Sequence, residues 1–153
     1  MFRVSKEPMK EGQSRPAVVF IHGLIDSSDG YVVNKKLSQP FIMADAGYDV
    51  WLSNTRGNRY SHEHVSLDPS TDSTYWDNAY DFDIARHDIP SFIEYAKMKS
   101  NVKSVSIVAH SQGTQEMFIY LIHAGKEAAK SVNFFCALGP FEQILKMSPG
   151  NFI

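Results

Sequence analysis

Several features that mark particular protein classes are missing from this sequence of 153 residues. A single cysteine, Cys136, excludes an internal disulfide, and its apolar surroundings are typical of a small buried side chain. The polar N-terminal stretch has no apolar signal-peptide core, and no Asn-x-Ser/Thr glycosylation site occurs. No apolar run approaches the length of a membrane span. We therefore expect no transmembrane segment, and the sequence leaves the cellular compartment undetermined.

Clustered positive charge and metal-ligand spacing are also absent. The formal net charge is -2, and lysines and arginines are scattered along the chain, so we expect no nucleic-acid partner. His62 and His64 alternate, but no third ligand is indicated and no H-E-x-x-H pattern occurs. The sequence therefore predicts no metal site, and nothing in it calls for a cofactor.

Buried strands alternating with amphipathic helices are what the sequence does contain. Apolar runs predict strands at Phe2–Val4, Ala17–Ile21, 48–52, 104–109 and Val132–Leu138. Helical spacing predicts three helices. The first covers 37–46 and faces inward through Leu37, Phe41, Ile42 and Ala46. The second is capped by Asp88 and faces inward through Ile89, Phe92, Ile93 and Ala96, and the third, Gln112–Ala124, faces inward through Met117, Phe118, Leu121 and Ile122. This alternation predicts an α/β domain over 1–153, with a mainly parallel sheet flanked by helices on both faces. In such sheets the chemistry lies at the carboxyl ends of the strands.

The strongest motif joins the strand 104–109 to the helix that follows it. Ser111 lies in the tight turn between them, in the nucleophile-elbow pattern G-x-S-x-G, with Ala109 in the first glycine position. Gly113 allows the helix to cross closely over the strand. The backbone N–H of Gln112 lies at a helix N-terminus, where partial positive charge favours an oxyanion. These features indicate a serine ester hydrolase of the α/β-hydrolase fold.

A second sharp turn follows the strand Ala17–Ile21. Gly23 allows the chain to turn back so that the N–H of Leu24 points at the same spot as that of Gln112, completing an oxyanion hole. We interpret His22 as a support for this turn and His110 as a residue that packs or bonds behind the elbow. The alternative for Ser111 is an ordinary helix N-cap, a position that serine often fills.

At this point the sequence resembles a known family, the acid lipases, which are the gastric and lysosomal lipases of the α/β-hydrolase superfamily. The matching stretches are VVFIHGL at 18–24, ADAGYDVWLSNTRGN at 44–58, YW at 75–76 through DIP at 88–90, and VAHSQGT at 108–114. The resemblance implies that Ser111 is the nucleophile and that Leu24 and Gln112 provide the oxyanion-hole amides. It also implies a lipid-ester substrate, a triacylglycerol or steryl ester, hydrolysed without a cofactor. Family members are secreted or lysosomal.

Family members are more than twice this length, and their catalytic Asp and His follow the serine well beyond position 153. We therefore expect a partial fold that lacks the later strands and the cap, and a chain that is nearly inactive by itself. A complementing chain that carries the missing Asp and His would be its partner. The alternatives are an inactive truncated lipase-like protein that serves as a structural or binding subunit, and a fragment that never folds.

Overall fold

The computed structural model describes residues 1–140, so residues 141–153 of the predicted domain lie outside the described residues. Its strands are β1 (Phe2–Val4), β2 (Ala17–Ile21), β3 (Asp49–Leu52), β4 (Val105–His110) and β5 (Val132–Leu138). They form one sheet in the order β1-β3-β2-β4-β5. β1 is antiparallel to β3, and the other neighbours are parallel. The predicted mainly parallel sheet is therefore confirmed, with each predicted strand present to within one residue. The expected burial of β5 and of its Cys136 is wrong, because β5 is an edge strand of the described sheet and its residues are half-buried or exposed.

The helices are α1 (Gln39–Asp45), α2 (Asp81–Asp83), α3 (Ile89–Ser100), α4 (Gln112–Ala124) and α5 (Lys126–Ser131). Short 3-10 turns lie at Ser28–Tyr31, Lys35–Leu37 and Ser73–Asn78, and a π-helical turn, Ile84–Asp88, joins α2 to α3. Across residues 1–140, none of the helices combines the length and the apolar character needed to cross a membrane.

Both faces of the sheet are covered, because β2 and its neighbours are apolar on both sides. On one face Val19 and Ile21 pack with Ile93 of α3 and Met117 of α4. On the other face Phe20 belongs to a cluster that includes part of α1. Side chains of neighbouring positions in a strand point to opposite faces, so a continuous apolar strand needs helices on both sides.

The predicted inward face of α3 is confirmed apart from Phe92, which is only partly buried. The predicted face of α4 is confirmed at Met117, is partly buried at Phe118 and Leu121, and is wrong at Ile122. The predicted face of α1 is wrong at Leu37, Ile42 and Ala46. In α4 the buried positions include Gly113, Met117 and Tyr120, while Ile122 is 83% exposed. Close backbone contact at Gly113 sets the side of α4 that faces the sheet, and this contact overrides the apolar pattern. In α1 the buried residues are Pro40 and Ala44, whereas Leu37 and Ile42 are exposed, because the helix begins only at Gln39.

The expected capping role of Asp88 is also wrong. Asp88 has helical backbone angles, makes no side-chain cap to α3, and forms the last residue of the π-helical turn. Its carboxylate instead accepts hydrogen bonds from the backbone N–H and the guanidinium of Arg56, at 2.6 to 2.8 Å. An arginine with this fork geometry competes successfully for a carboxylate that could otherwise cap a helix.

Candidate active site

Ser111 lies at the junction of β4 and α4, where its backbone adopts φ 50° and ψ -119°. A side chain in this left-handed region is strained by roughly 1–3 kcal/mol, so neighbouring contacts must hold it there. The Ser111 N–H donates to the carbonyl of Leu138 at 3.0 Å, and its carbonyl accepts from both the N–H and the hydroxyl of Thr114. β5 and the first turn of α4 thus fix the serine from both sides.

The Ser111 side chain makes no capping hydrogen bond to α4, although the residue occupies the N-cap position. An ordinary N-cap has an extended backbone, and its side-chain oxygen accepts from the N–H groups of the first turn. Ser111 has neither property. The N-cap alternative therefore gives no account of the serine or of its strained backbone.

Two glycines let other backbone segments approach this turn closely. A Cβ at Gly113 would lie 2.6 Å from the carbonyl oxygen of His22 and 2.9 Å from that of Ile21, so no side chain fits there. A Cβ at Gly23 would lie 3.1 Å from the Ser111 Cβ and 3.2 Å from Nδ1 of His110. The turn after β2 therefore lies directly against Ser111, which brings together the two motifs predicted at separate strand ends.

Leu24 and Gln112, the two predicted oxyanion donors, border the same cavity of about 660 Å³. Gln112 is the first residue of α4, so its backbone N–H has no partner within the helix. Leu24 directly follows Gly23, and its side chain is 52% exposed. Apolar side chains, among them those of Ile25 and Trp76, line much of the cavity. An ester bound in this cavity would lie beside both the turn at Gly23 and the turn at Ser111.

His22 is buried, and both of its ring nitrogens are engaged. Nε2 lies 3.2 Å from the N–H of Thr55 and 3.0 Å from Nδ2 of Asn58, two donor groups, and therefore acts as an acceptor. The ring proton is then on Nδ1, which donates to the carbonyl of Gly23 at 2.9 Å. His22 thus ties the loop after β3 to the turn that carries Leu24.

The other histidines take no comparable position. His110 ends β4 and is exposed, and its ring lies between Gly23 and Gly139, about 4 Å or less from the Cβ position of each. Its ring therefore lies between the turn after β2 and the residue that follows β5. The remaining four are all exposed: His62, His64, His87 and His123.

Two acidic residues near α4, Asp81 and Glu116, were not singled out by sequence reasoning. Asp81 Oδ1 accepts from Nε2 of Gln112 at 2.5 Å. Glu116 is almost fully buried, and its Oε2 has no hydrogen-bond partner within residues 1–140. Burial, together with the charges of Asp81 and Asp88, raises the pKa of Glu116 well above its usual value. The one sequence signal was Glu116 itself, an acid on a helix whose other inward positions are mostly uncharged.

Comparison with known proteins gives a consistent result. The family model of the alpha/beta hydrolase fold matches residues 16–150. The chain is 40% identical over 131 residues to human lysosomal acid lipase/cholesteryl ester hydrolase, and 42% identical over 127 residues to lipase lipl-1 of Caenorhabditis elegans. These alignments cover 85% and 82% of this chain, but only 32% and 31% of the relatives. The chain therefore spans about a third of the length of the curated relatives it matches.

A solved structure is similar as well. A marine microorganism esterase superposes with a TM-score of 0.57 at 21% identity, over 89% of this chain and 40% of the esterase. At this level of identity the likeness supports the fold alone. The expected resemblance to acid lipases is confirmed by the sequence relatives, and the expected α/β-hydrolase architecture by the family model and the observed sheet.

Proposed function

The chain belongs to the alpha/beta hydrolase fold family, and we propose that Ser111 is its nucleophile in the hydrolysis of lipid esters. The observation that carries this proposal is the strained backbone of Ser111, at φ 50°, combined with a hydroxyl that caps nothing. Strain of this kind persists only where surrounding contacts impose it, and it is concentrated at functional sites. Here β5, Thr114 and the Gly23 turn all impose it.

The proposed oxyanion hole consists of the backbone N–H groups of Leu24 and Gln112. The positive end of α4 lies at Gln112, and His22 holds the turn that carries Leu24. Donors fixed before the reaction stabilise the charge that develops on the carbonyl oxygen without reorganisation at the moment of attack. Loss of one such donor typically lowers the rate by roughly a hundred- to a thousand-fold.

In the proposed reaction the Ser111 oxygen attacks the ester carbonyl carbon, and its proton passes to a general base. The tetrahedral intermediate collapses to an acyl-serine as the alcohol leaves with a proton, and water then releases the fatty acid and restores the serine. Neither ring nitrogen of His22 is free to act as this base, and the ring of His110 lies between Gly23 and Gly139. We assign the base and its acidic partner to residues beyond position 153 of a longer protein or to a complementing chain.

The substrate class follows from the relatives and from the apolar lining of the cavity. The names of the relatives describe one as a lipase that hydrolyses cholesteryl esters and another as a lipase. Leu24, Ile25, Val33 and Trp76 give the cavity beside the oxyanion turn apolar surface suited to hydrocarbon. We therefore propose a triacylglycerol or a steryl ester as the substrate.

A phosphonate ester that mimics the tetrahedral intermediate tests the nucleophile. We expect p-nitrophenyl hexylphosphonate to modify Ser111 selectively, as located by peptide mass spectrometry, and to leave the Ser111→Ala variant unmodified. Without a base among residues 1–140, the modification of the chain by itself should stay below one equivalent. Modification spread over the exposed serines, with none favoured, would refute the assignment of Ser111. Complete labelling would instead refute the expectation that this chain alone is nearly inactive.

The proposed oxyanion donor has its own test in the same assay. Gln112→Pro removes the N–H at the first position of α4, where proline is tolerated, whereas Gln112→Ala keeps this N–H. We expect the proline variant to be modified more slowly than the alanine variant by roughly a hundred-fold. Circular dichroism spectra of the two variants serve as the control for folding. Equal rates in two folded variants would exclude the Gln112 amide as a donor.

A further inference from the structure

The side chain of Gln112 is held by a residue from a distant part of the sequence. Its Nε2 donates to Oδ1 of Asp81 at 2.5 Å, a contact that joins α2 to the first residue of α4. Asp81 and Gln112 are separated by 31 positions in the chain and are partly buried. A hydrogen bond between an amide and a carboxylate is stronger than one between neutral groups, so it can fix the orientation of the glutamine.

The first turn of α4 has few other side-chain restraints. The Ser111 hydroxyl does not cap it, and Gly113 has no side chain. The Thr114 hydroxyl donates a hydrogen bond to the carbonyl of Ser111, the residue before Gln112. Among residues 1–140, the hydrogen bond to Asp81 is therefore the contact that restrains the Gln112 side chain directly.

Two other carboxylates lie near this turn, but the one that binds Gln112 is that of Asp81. Asp88 is bound by the guanidinium and backbone N–H of Arg56. Glu116 lies one helical turn beyond Gln112 and is buried, and its Oε2 has no partner within the part of the chain that the structure describes. Because Asp81 also raises the pKa of Glu116, these two carboxyl groups are near each other, and Asp81 is the one that reaches Gln112.

We propose that Asp81 is a positioning residue of the oxyanion hole: its carboxylate holds the Gln112 side chain and thereby orients the Gln112 backbone N–H toward the ester oxygen. This inference rests on the proposed function, because it presupposes that this N–H binds the oxyanion. Asp81 touches neither the substrate nor Ser111 in this mechanism. It acts through Gln112, and its effect must disappear when the Gln112 side chain is removed.

Initial rates of Ser111 modification by p-nitrophenyl hexylphosphonate test this dependence. We expect Asp81→Ala to lower the rate about tenfold, the typical effect of losing a hydrogen bond to a charged group. Asp81→Asn keeps an acceptor oxygen and should restore the rate to within about twofold of the original. Asp83→Ala removes the same charge from the same short helix and serves as the matched control, with no change expected.

The double variant separates positioning from general stabilisation. If Asp81 acts through the glutamine side chain, Asp81→Ala combined with Gln112→Ala is no slower than Gln112→Ala alone. If the two losses multiply, Asp81 acts by another route and the inference is wrong.

Nuclear magnetic resonance of the ¹⁵N-labelled chain measures the hydrogen bond without any reaction. We expect the Gln112 side-chain NH₂ protons to exchange slowly with solvent in the original chain and rapidly in Asp81→Ala. If Ser111 is modified but Asp81→Ala changes neither rate nor exchange, only the positioning role is refuted. If the exchange result is as expected but Ser111 is never modified, the proposed function fails, and the positioning role falls with it.

Discussion

A buried acid on the helix that follows Ser111 makes the stability of this protein sensitive to pH. Glu116 is 2% exposed, lies on α4, and has an Oε2 without a partner among residues 1–140. Desolvation by burial is the largest cause of its raised pKa, followed by the charges of Asp81 and Asp88. The folded chain therefore keeps the Glu116 proton to a higher pH than the unfolded chain does.

The magnitude follows from proton linkage. Below pH 4.5, the ordinary value for this group, Glu116 is protonated in both states and adds no pH dependence. Above it the unfolded chain loses the proton first, so the folded chain binds more protons and the free energy of unfolding falls as pH rises. The fall approaches ~1.4 kcal/mol per pH unit and ends at the pKa of Glu116 in the folded chain. Glu116→Gln has no proton to lose at this position, so its free energy of unfolding does not show this fall. The difference in stability between the variant and the original chain therefore grows as the pH rises.

Urea unfolding followed by circular dichroism, at half-unit steps from pH 4.5 to neutrality, measures this difference. We expect the two chains to converge near pH 4.5 and the variant to be the more stable at every higher pH. Glu127→Gln, which alters a side chain that is 75% exposed and paired with Lys130, should leave the slope unchanged. Parallel stability curves for the original chain and Glu116→Gln would show that Glu116 is ionised in the folded state, and would refute the reasoning.

Two further predictions concern the backbone of the elbow, and urea unfolding measures both. Gly113→Ala should destabilise the fold by roughly 1–3 kcal/mol, because the new Cβ would lie 2.6 Å from the carbonyl oxygen of His22; a gain in stability, as expected for alanine at an open helical position, would contradict this packing. Ser111→Gly should be more stable than Ser111→Ala by about 1 kcal/mol, because glycine adopts φ 50° without strain. Equal stability of these two variants would show that the serine backbone stores no strain.

Much of the strand framework could be predicted because its signal is local. The run Ala17–Ile21 is apolar at every position, and the structure buries all five residues between two layers of helices. The predicted and observed bounds of β5 also agree, although its residues are half-buried or exposed, because β5 lies at the edge of the described sheet. A short, continuously apolar run bounded by turn residues is typical of a strand buried on both faces, so β2 could be identified locally.

The helix faces were harder to predict, because their orientation depends on contacts from other segments. An apolar pattern favoured Ile122 as an inward residue, yet the contact of Gly113 with the end of β2 turns that residue outward. Asp88 looked like a helix cap, but Arg56, which is 32 positions earlier, binds it. Such competition between partners cannot be read from either segment alone.

The sequence by itself determined the order of the five strands and of α1, α3 and α4, but not α2 or α5. It also indicated the two turns at Gly23 and Ser111, since a strand, a sharp turn and small residues are local requirements. Only the tertiary structure decided that these turns touch, that His22 carries its ring proton on Nδ1, and that Asp81 holds Gln112. It also decided that Glu116 is buried without a partner for its Oε2 among residues 1–140. The physical reason is that hydrogen bonds and desolvation depend on which distant groups come within a few ångströms, and the packing of α2 and α4 beside the sheet sets those distances.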